Sequence, residues 1–81
     1  MKIKRISNNE TEVSSYDGAE VLFSYDTPVL IKTDRGVYKT NHSHSKTTSR
    51  HINQALYRWG VDVDTLHSRE QSYIEHLVSS L

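Results

Sequence analysis

The stretch Asn41-His42-Ser43-His44-Ser45-Lys46-Thr47-Thr48-Ser49-Arg50-His51 holds the densest chemistry in the chain and contains no apolar side chain. A helix beginning near Thr48 would point its free amides and the positive end of its dipole at this loop. With Lys46 and Arg50 alongside, and hydroxyls on Thr47 and Ser49, those are the makings of an anion site. A nucleic-acid phosphate is one occupant and a partner carboxylate is another; an ordinary N-cap with solvated side chains is the plainer reading. Further along, 100° per residue places Arg50, Asn53, Gln54 and Tyr57 on the helix face opposite Ile52 and Trp59. Arg can read guanine, and Asn or Gln adenine, through bidentate hydrogen bonds, but the same residue types anchor protein interfaces or simply form a polar solvent face. The residue types alone do not separate these. The surface expected to meet a partner is therefore His42, His44, Lys46, Thr47, Ser49, Arg50, Asn53, Gln54 and Tyr57, all quoted from the sequence.

Other chemistry is weaker. His42-x-His44 has the spacing of two ligands on a strand, and His51 could approach as a third, which would suit zinc. There is no cysteine and no carboxylate between Asp34 and Asp62 to complete such a site, so no metal is expected. His51-x-Asn53 has a nuclease-like ring to it, yet two residues apart on a helix point about 200° apart. Glu10 with Glu12, and Asp62 with Asp64, read as surface charge more readily than as chelators. No Gly-x-Ser-x-Gly elbow and no phosphate-cradling loop exists among three glycines. The expectation is a protein that is not an enzyme and carries no cofactor.

The elements that must position these residues follow from periodicity. Lys2–Ser7 reads as a modest strand before an Asn8-Asn9 turn, and Thr11–Tyr16 as a second strand before Asp17-Gly18. Ala19–Tyr25 is the best early strand, its Val21-Leu22-Phe23 run continuous enough to suggest burial on more than one side. Pro28 punctuates; Val29–Thr33 and Val37–Thr40 then flank an Asp34-Arg35-Gly36 turn. From Thr47 the period changes to 3.6, with Ile52, Ala55, Leu56 and Trp59 on one face, a cap at Thr47, Thr48 or Ser49, and Gly60 as the left-handed terminator. Val61–Asp64 is a short link. Ser68-Arg69-Glu70-Gln71 has capping-box spacing ahead of an Ile74, Leu77, Val78, Leu81 stripe. The expected architecture is one α+β domain over residues 1–81: an antiparallel meander of about four to five strands, followed by two amphipathic C-terminal helices that cover one face of the sheet. Trp59, Phe23 and Tyr38 are expected in the core.

Length, composition and charge set bounds on this. Eighty-one residues bury only about 60–65% of the surface an unfolded chain exposes. With 35% hydrophobic residues and a mean hydropathy of -0.68, the core is thin. The absence of cysteine excludes disulfides, thiolate zinc fingers and Cys nucleophiles. No apolar run approaches the ~20 residues of a membrane span, and no leader-like segment opens the chain, so no membrane association is expected. The net charge is +0, but sign is segregated: Lys2, Lys4 and Arg5 precede Glu10, Glu12, Asp17, Glu20 and Asp26. From Arg35 to Val61 there is no acid, while Arg35, Lys39, Lys46, Arg50 and Arg58 accumulate. Such blocks either pair with one another inside the molecule or create a local positive potential for an acidic partner.

Three segments carry a resemblance. Ser24-Tyr25-Asp26-Thr27-Pro28-Val29, Val37-Tyr38-Lys39-Thr40 and Thr47-Thr48-Ser49-Arg50-His51-Ile52-Asn53 resemble a family of small bacteriophage-encoded proteins of unknown function. The likeness runs from about Val21 to the C-terminus and departs where Gln54-Ala55-Leu56-Tyr57-Arg58 precedes Trp59. It implies a viral protein in the cytoplasm of a bacterial host and implies no activity. The leading expectation is thus an accessory protein that binds a host macromolecule stoichiometrically, for instance inhibiting a defence or regulatory protein. The alternative is a small nucleic-acid-binding regulator using the same loop and helix face, against which the zero net charge argues.

Overall fold

The computed structural model describes residues 2–81. Five strands come first: β1 (Lys2–Ser7), β2 (Glu10–Ser14), β3 (Glu20–Ser24), β4 (Thr27–Thr33) and β5 (Gly36–Thr40). Helix α1 (Lys46–Trp59) follows, then a 3-10 turn (Val63–Thr65), β6 (Leu66–Arg69) and α2 (Gln71–Ser79). The strands form one sheet in the order β1-β2-β3-β4-β5-β6, antiparallel throughout except for β6, which runs parallel to β5.

The α+β class and the opening meander match the sequence expectation; the strand count and the purely antiparallel sheet do not. A 14-residue helix rises about 21 Å, enough to carry the chain back along β5 and set the next segment down parallel to it. That segment is Leu66–Arg69, with Val37↔Leu66 and Thr40↔Arg69 in register. It has one half-buried apolar residue and otherwise exposed positions, so it lacks the alternation that marks a strand. Ser68 and Arg69 consequently belong to β6, and no capping box forms: the N-cap of α2 is Glu70, whose side chain makes no capping bond.

The helices also lie on opposite faces of the sheet, correcting the expected arrangement on one. Ile52, Ala55 and Leu56 of α1 pack with Leu22, Val29, Leu30 and Val37, joined at the margin by Trp59, Val61 and Leu66. Ile74 of α2 packs on the other face with Val21 and Ile31, bordered by Phe23, Tyr38, Leu77 and Val78. Two-sided cover is what the unbroken apolar runs of β3 and β4 require, since alternate residues point to opposite faces. Phe23 and Tyr38 are half-buried rather than enclosed, and Leu81 lies beyond α2 and is exposed.

Turns obey local chemistry. Gly18 (φ 91) closes the β2–β3 connection. Between β3 and β4 the chain reverses through Tyr25-Asp26, with Tyr25 at φ 58, an uncommon conformation for a residue with a Cβ. Its N–H donates to the Asn9 carbonyl at 2.7 Å, which ties this turn to the β1–β2 turn. Pro28 sits inside β4 opposite Phe23, beside a register shift, where a missing N–H is tolerated.

Candidate functional site

Helix α1 begins two to four residues earlier than the Thr47, Thr48 or Ser49 cap implied by the sequence. Ser45 is the N-cap, its hydroxyl accepting from the Thr48 N–H at 3.2 Å. Gly60 ends the helix in the left-handed conformation (φ 66), and its N–H donates to helix carbonyls, as its position suggested. The core stripe Ile52, Ala55, Leu56 faces the sheet, which forces the opposite side outward.

That outward side gathers most of the expected residues. Lys46, Ser49, Arg50, Asn53, Gln54 and Tyr57 line one open, shallow surface along α1, bordered by Arg58. Tyr57 is 89% exposed. Among the described residues, Lys46, Arg50, Asn53, Gln54 and Tyr57 make no side-chain hydrogen bond or ion pair. The two loop histidines are not part of it. His44 Nδ1 lies 3.1 Å from the Ser49 hydroxyl, and with Lys39 and Asn53 it borders a small recess on the flank of α1. His42, with His44, lines a separate small cleft bounded by Ser24, Tyr25, Thr48 and Gln71. Thr47 is half-buried in the first turn of α1.

His51 does not approach His42 and His44 as a third metal ligand. It is 5% exposed, its Nδ1 sits 2.9 Å from the Ser24 hydroxyl, and its Nε2 is 3.9 Å from Glu10 Oε1. No cluster of three His, Cys, Asp or Glu side chains suited to a metal occurs among the described residues.

The other flank of α1 carries a polar network that the sequence reading missed. Glu10, expected at the surface, is 2% exposed. Arg58 spans Glu10 Oε2 at 3.2 Å and Glu12 Oε2, to which its Nε donates at 3.0 Å. The Trp59 indole N–H donates to Glu12 Oε1 at 3.2 Å. Ser24 shares its hydroxyl between His51 and Thr48, the latter at 2.9 Å. Burial opposes the charge on Arg58, but the hydrogen bonds and charges of Glu12 and then Glu10 outweigh it and raise the guanidinium pKa above its ordinary value. A serine, an imidazole and a carboxylate in sequence have the elements of a nucleophile and its base. Here Ser24, His51 and Glu10 are all buried and turned on one another, and their contacts join α1 to β2 and β3. The one hint in the sequence was the spacing Glu10-x-Glu12, which puts both carboxylates on one face of a strand.

The bland account of the charge blocks, internal pairing, is thereby realised in part. Arg58 is absorbed by Glu10 and Glu12, whereas Lys39, Lys46 and Arg50 enter no ion pair among the described residues. Within those residues no helix is long and apolar enough to cross a membrane.

A mixed six-stranded sheet with one helix on each face, and a polar helix surface left open, defines the architecture. The chain belongs to DUF8033, a family of unknown function whose model matches residues 1–75. No curated protein and no solved structure matches it.

Proposed function

We propose that the protein is a non-catalytic binding module that docks the outer face of α1 on an acidic surface of a partner protein. The observation that carries this is the open face itself: Lys46, Arg50, Asn53, Gln54 and Tyr57 are brought onto one surface with no partner inside the described molecule. Tyr and Arg are the residue types that most often dominate interface energetics, because they offer large contact area with a polar end. The bacteriophage resemblance supplies the setting. In it, the protein is an accessory factor in the cytoplasm of a bacterial host, binding a host defence or regulatory protein stoichiometrically.

Nucleic acid is the second reading, and the ion pairs count against it. Of the basic residues in the acid-free stretch, Arg58 turns to Glu10 and Glu12, and Arg35 belongs to the β4–β5 turn, away from α1. Lys46 and Arg50 remain on the outer face, with Lys39 on the flank. Two phosphate contacts give a salt slope of only about −1.8 on duplex DNA, too shallow for an electrostatically driven binder.

The test is capture from lysate of infected bacteria, with and without nuclease, by wild type and by K46E/R50E. Both substitutions lie on exposed positions, so the melting temperature should hold to within about 0.5 kcal/mol of stability. Wild type should retain its partner after nuclease treatment and the double variant should lose it. Capture that nuclease abolishes favours the nucleic-acid reading; a folded double variant that still captures the partner removes α1 as the functional surface.

A further inference from the structure

The first strand is the least covered part of the fold. β1 borders the sheet and hydrogen-bonds to β2 alone, so its outward amides and carbonyls form an unpaired ladder. Every residue of the strand is exposed except Ile6, which is half-buried. Lys2, Lys4 and Arg5 enter no ion pair among the described residues; the Arg5 guanidinium reaches only main-chain carbonyls of Ser7 and Asn8, at 3.4 and 3.3 Å. Lys4 lies opposite Glu12, but that carboxylate is engaged by Arg58 and Trp59. On the other face, Ile3 begins a cross-strand row that continues through Val13, Val21 and Ile31. Ile74 of α2 covers Val21 and Ile31, while Val13 is left half-buried and Ile3 73% exposed.

We propose that β1 accepts an extended acidic segment of a partner protein by strand addition, with carboxylates facing Lys2 and Lys4 on one side of the sheet and an apolar side chain beside Ile3 on the other. Main-chain hydrogen bonds supply the docking, and alternate side chains supply the selectivity. Charge complementarity names the occupant. A second copy of this chain fits badly, because β1 against β1 brings two basic edges together, and like charges facing across strands destabilise pairing. β6, the opposite border, offers Leu66, His67, Ser68 and Arg69 and no acid. Lysines on an edge strand deter neutral strands; a carboxylate opposite each one removes the deterrent, so the residues that block self-association select the acidic segment. This surface is separate from the outer face of α1 and stands or falls without it.

The experiment uses the full chain and a fluorescent peptide of about ten residues that alternates Glu with Val, the strand-addition pattern. Its control is the same peptide with alternate amides N-methylated, which keeps the charge and blocks the hydrogen-bonding edge. Binding by anisotropy at low salt should weaken at least about tenfold on N-methylation, since main-chain bonds carry the affinity. The K2E/K4E variant should show a similar loss, and K46E/R50E should bind the peptide like wild type. Hydrogen exchange should slow at residues 2–7 of the bound protein. Absence of binding, equal binding of the methylated peptide, or protection confined to residues 46–58 would each overturn the proposal. So would a dimer in sedimentation that K2E/K4E dissolves, because the edge would then belong to a second copy.

Discussion

Removing the Arg58 guanidinium tests whether the buried carboxylates hold α1 to the sheet. The Arg58 side chain is 31% exposed, while those of Glu10 and Glu12 are 3% and 13% exposed. Breaking a buried pair by deleting one partner costs about 3–5 kcal/mol, mostly because the other charge is stranded. Arg58 is partly solvated, and water entering its place can reach Glu12 more easily than Glu10, so the expected cost of Arg58→Ala is about 2–4 kcal/mol. For a domain of this size, each kcal/mol corresponds to about 4–8 °C, so the melting temperature should fall by at least about 8 °C. If the stranded carboxylates are the cause, neutralising them recovers stability: E10Q/E12Q/R58A should be more stable than R58A. Urea unfolding of wild type, R58A, E10Q/E12Q and the triple variant closes a cycle whose coupling should exceed about 1 kcal/mol, as for residues sharing one network. An R58A loss below about 1 kcal/mol with no coupling would refute the reasoning and leave the attachment of α1 to its apolar stripe and to the hydrogen bonds of Thr48, His51 and Trp59.

Two further predictions concern single turns. At Gly60 an added Cβ meets no atom within 4 Å, so Gly60→Ala isolates the conformational cost of the left-handed C-cap; urea unfolding should show a loss of about 1–2 kcal/mol, and a neutral result would mean the helix ends without that geometry. The Asp17 carboxyl accepts from the Ser15 hydroxyl first and the Ala19 amide second, which holds its pKa below the ordinary value. A depressed pKa favours folding above the unfolded-state value of about 3.9 and loses that contribution as pH falls through the folded value. The stability difference between wild type and Asp17→Asn should therefore shrink between about pH 4 and pH 2, and a difference that stays constant would show that the carboxyl does not titrate with folding.

What the sequence disclosed depended on whether a residue's surroundings were local. The stripe Ile52, Ala55, Leu56 and the Gly60 terminator are properties of one helix, and the structure has them where periodicity puts them. The outward set Arg50, Asn53, Gln54 and Tyr57 follows from the same geometry by subtraction. β6 was hidden because a four-residue parallel edge strand is specified by the helix that delivers it, not by its own Leu66-His67-Ser68-Arg69 pattern. The placement of the helices was within reach: Val21-Leu22-Phe23 and Val29-Leu30-Ile31 cannot both be buried by cover on one side. Glu10 was out of reach. Its partner Arg58 lies 48 positions later, and the Glu10-x-Glu12 spacing shows only that two carboxylates share a strand face, not what they meet.

The zero net charge hides a division of labour among the cations. Arg58 bridges Glu10 and Glu12, and its subtraction leaves the uncompensated positive charge of α1 to Lys46 and Arg50 among the described residues. The first strand keeps Lys2, Lys4 and Arg5 without an ion pair among the described residues, where exposure to water makes each one cheap to retain and easy to engage. The two proposed dockings would meet an acidic partner by different physics. The face of α1 offers side chains alone, its backbone bonds being satisfied within the helix, so its recognition is set by shape and by charges that salt screens. β1 offers backbone as well, and that part of its affinity is indifferent to ionic strength. Raising salt should thus erode capture at α1 more completely than pairing at β1, and the residual that survives salt should be the part that amide methylation removes.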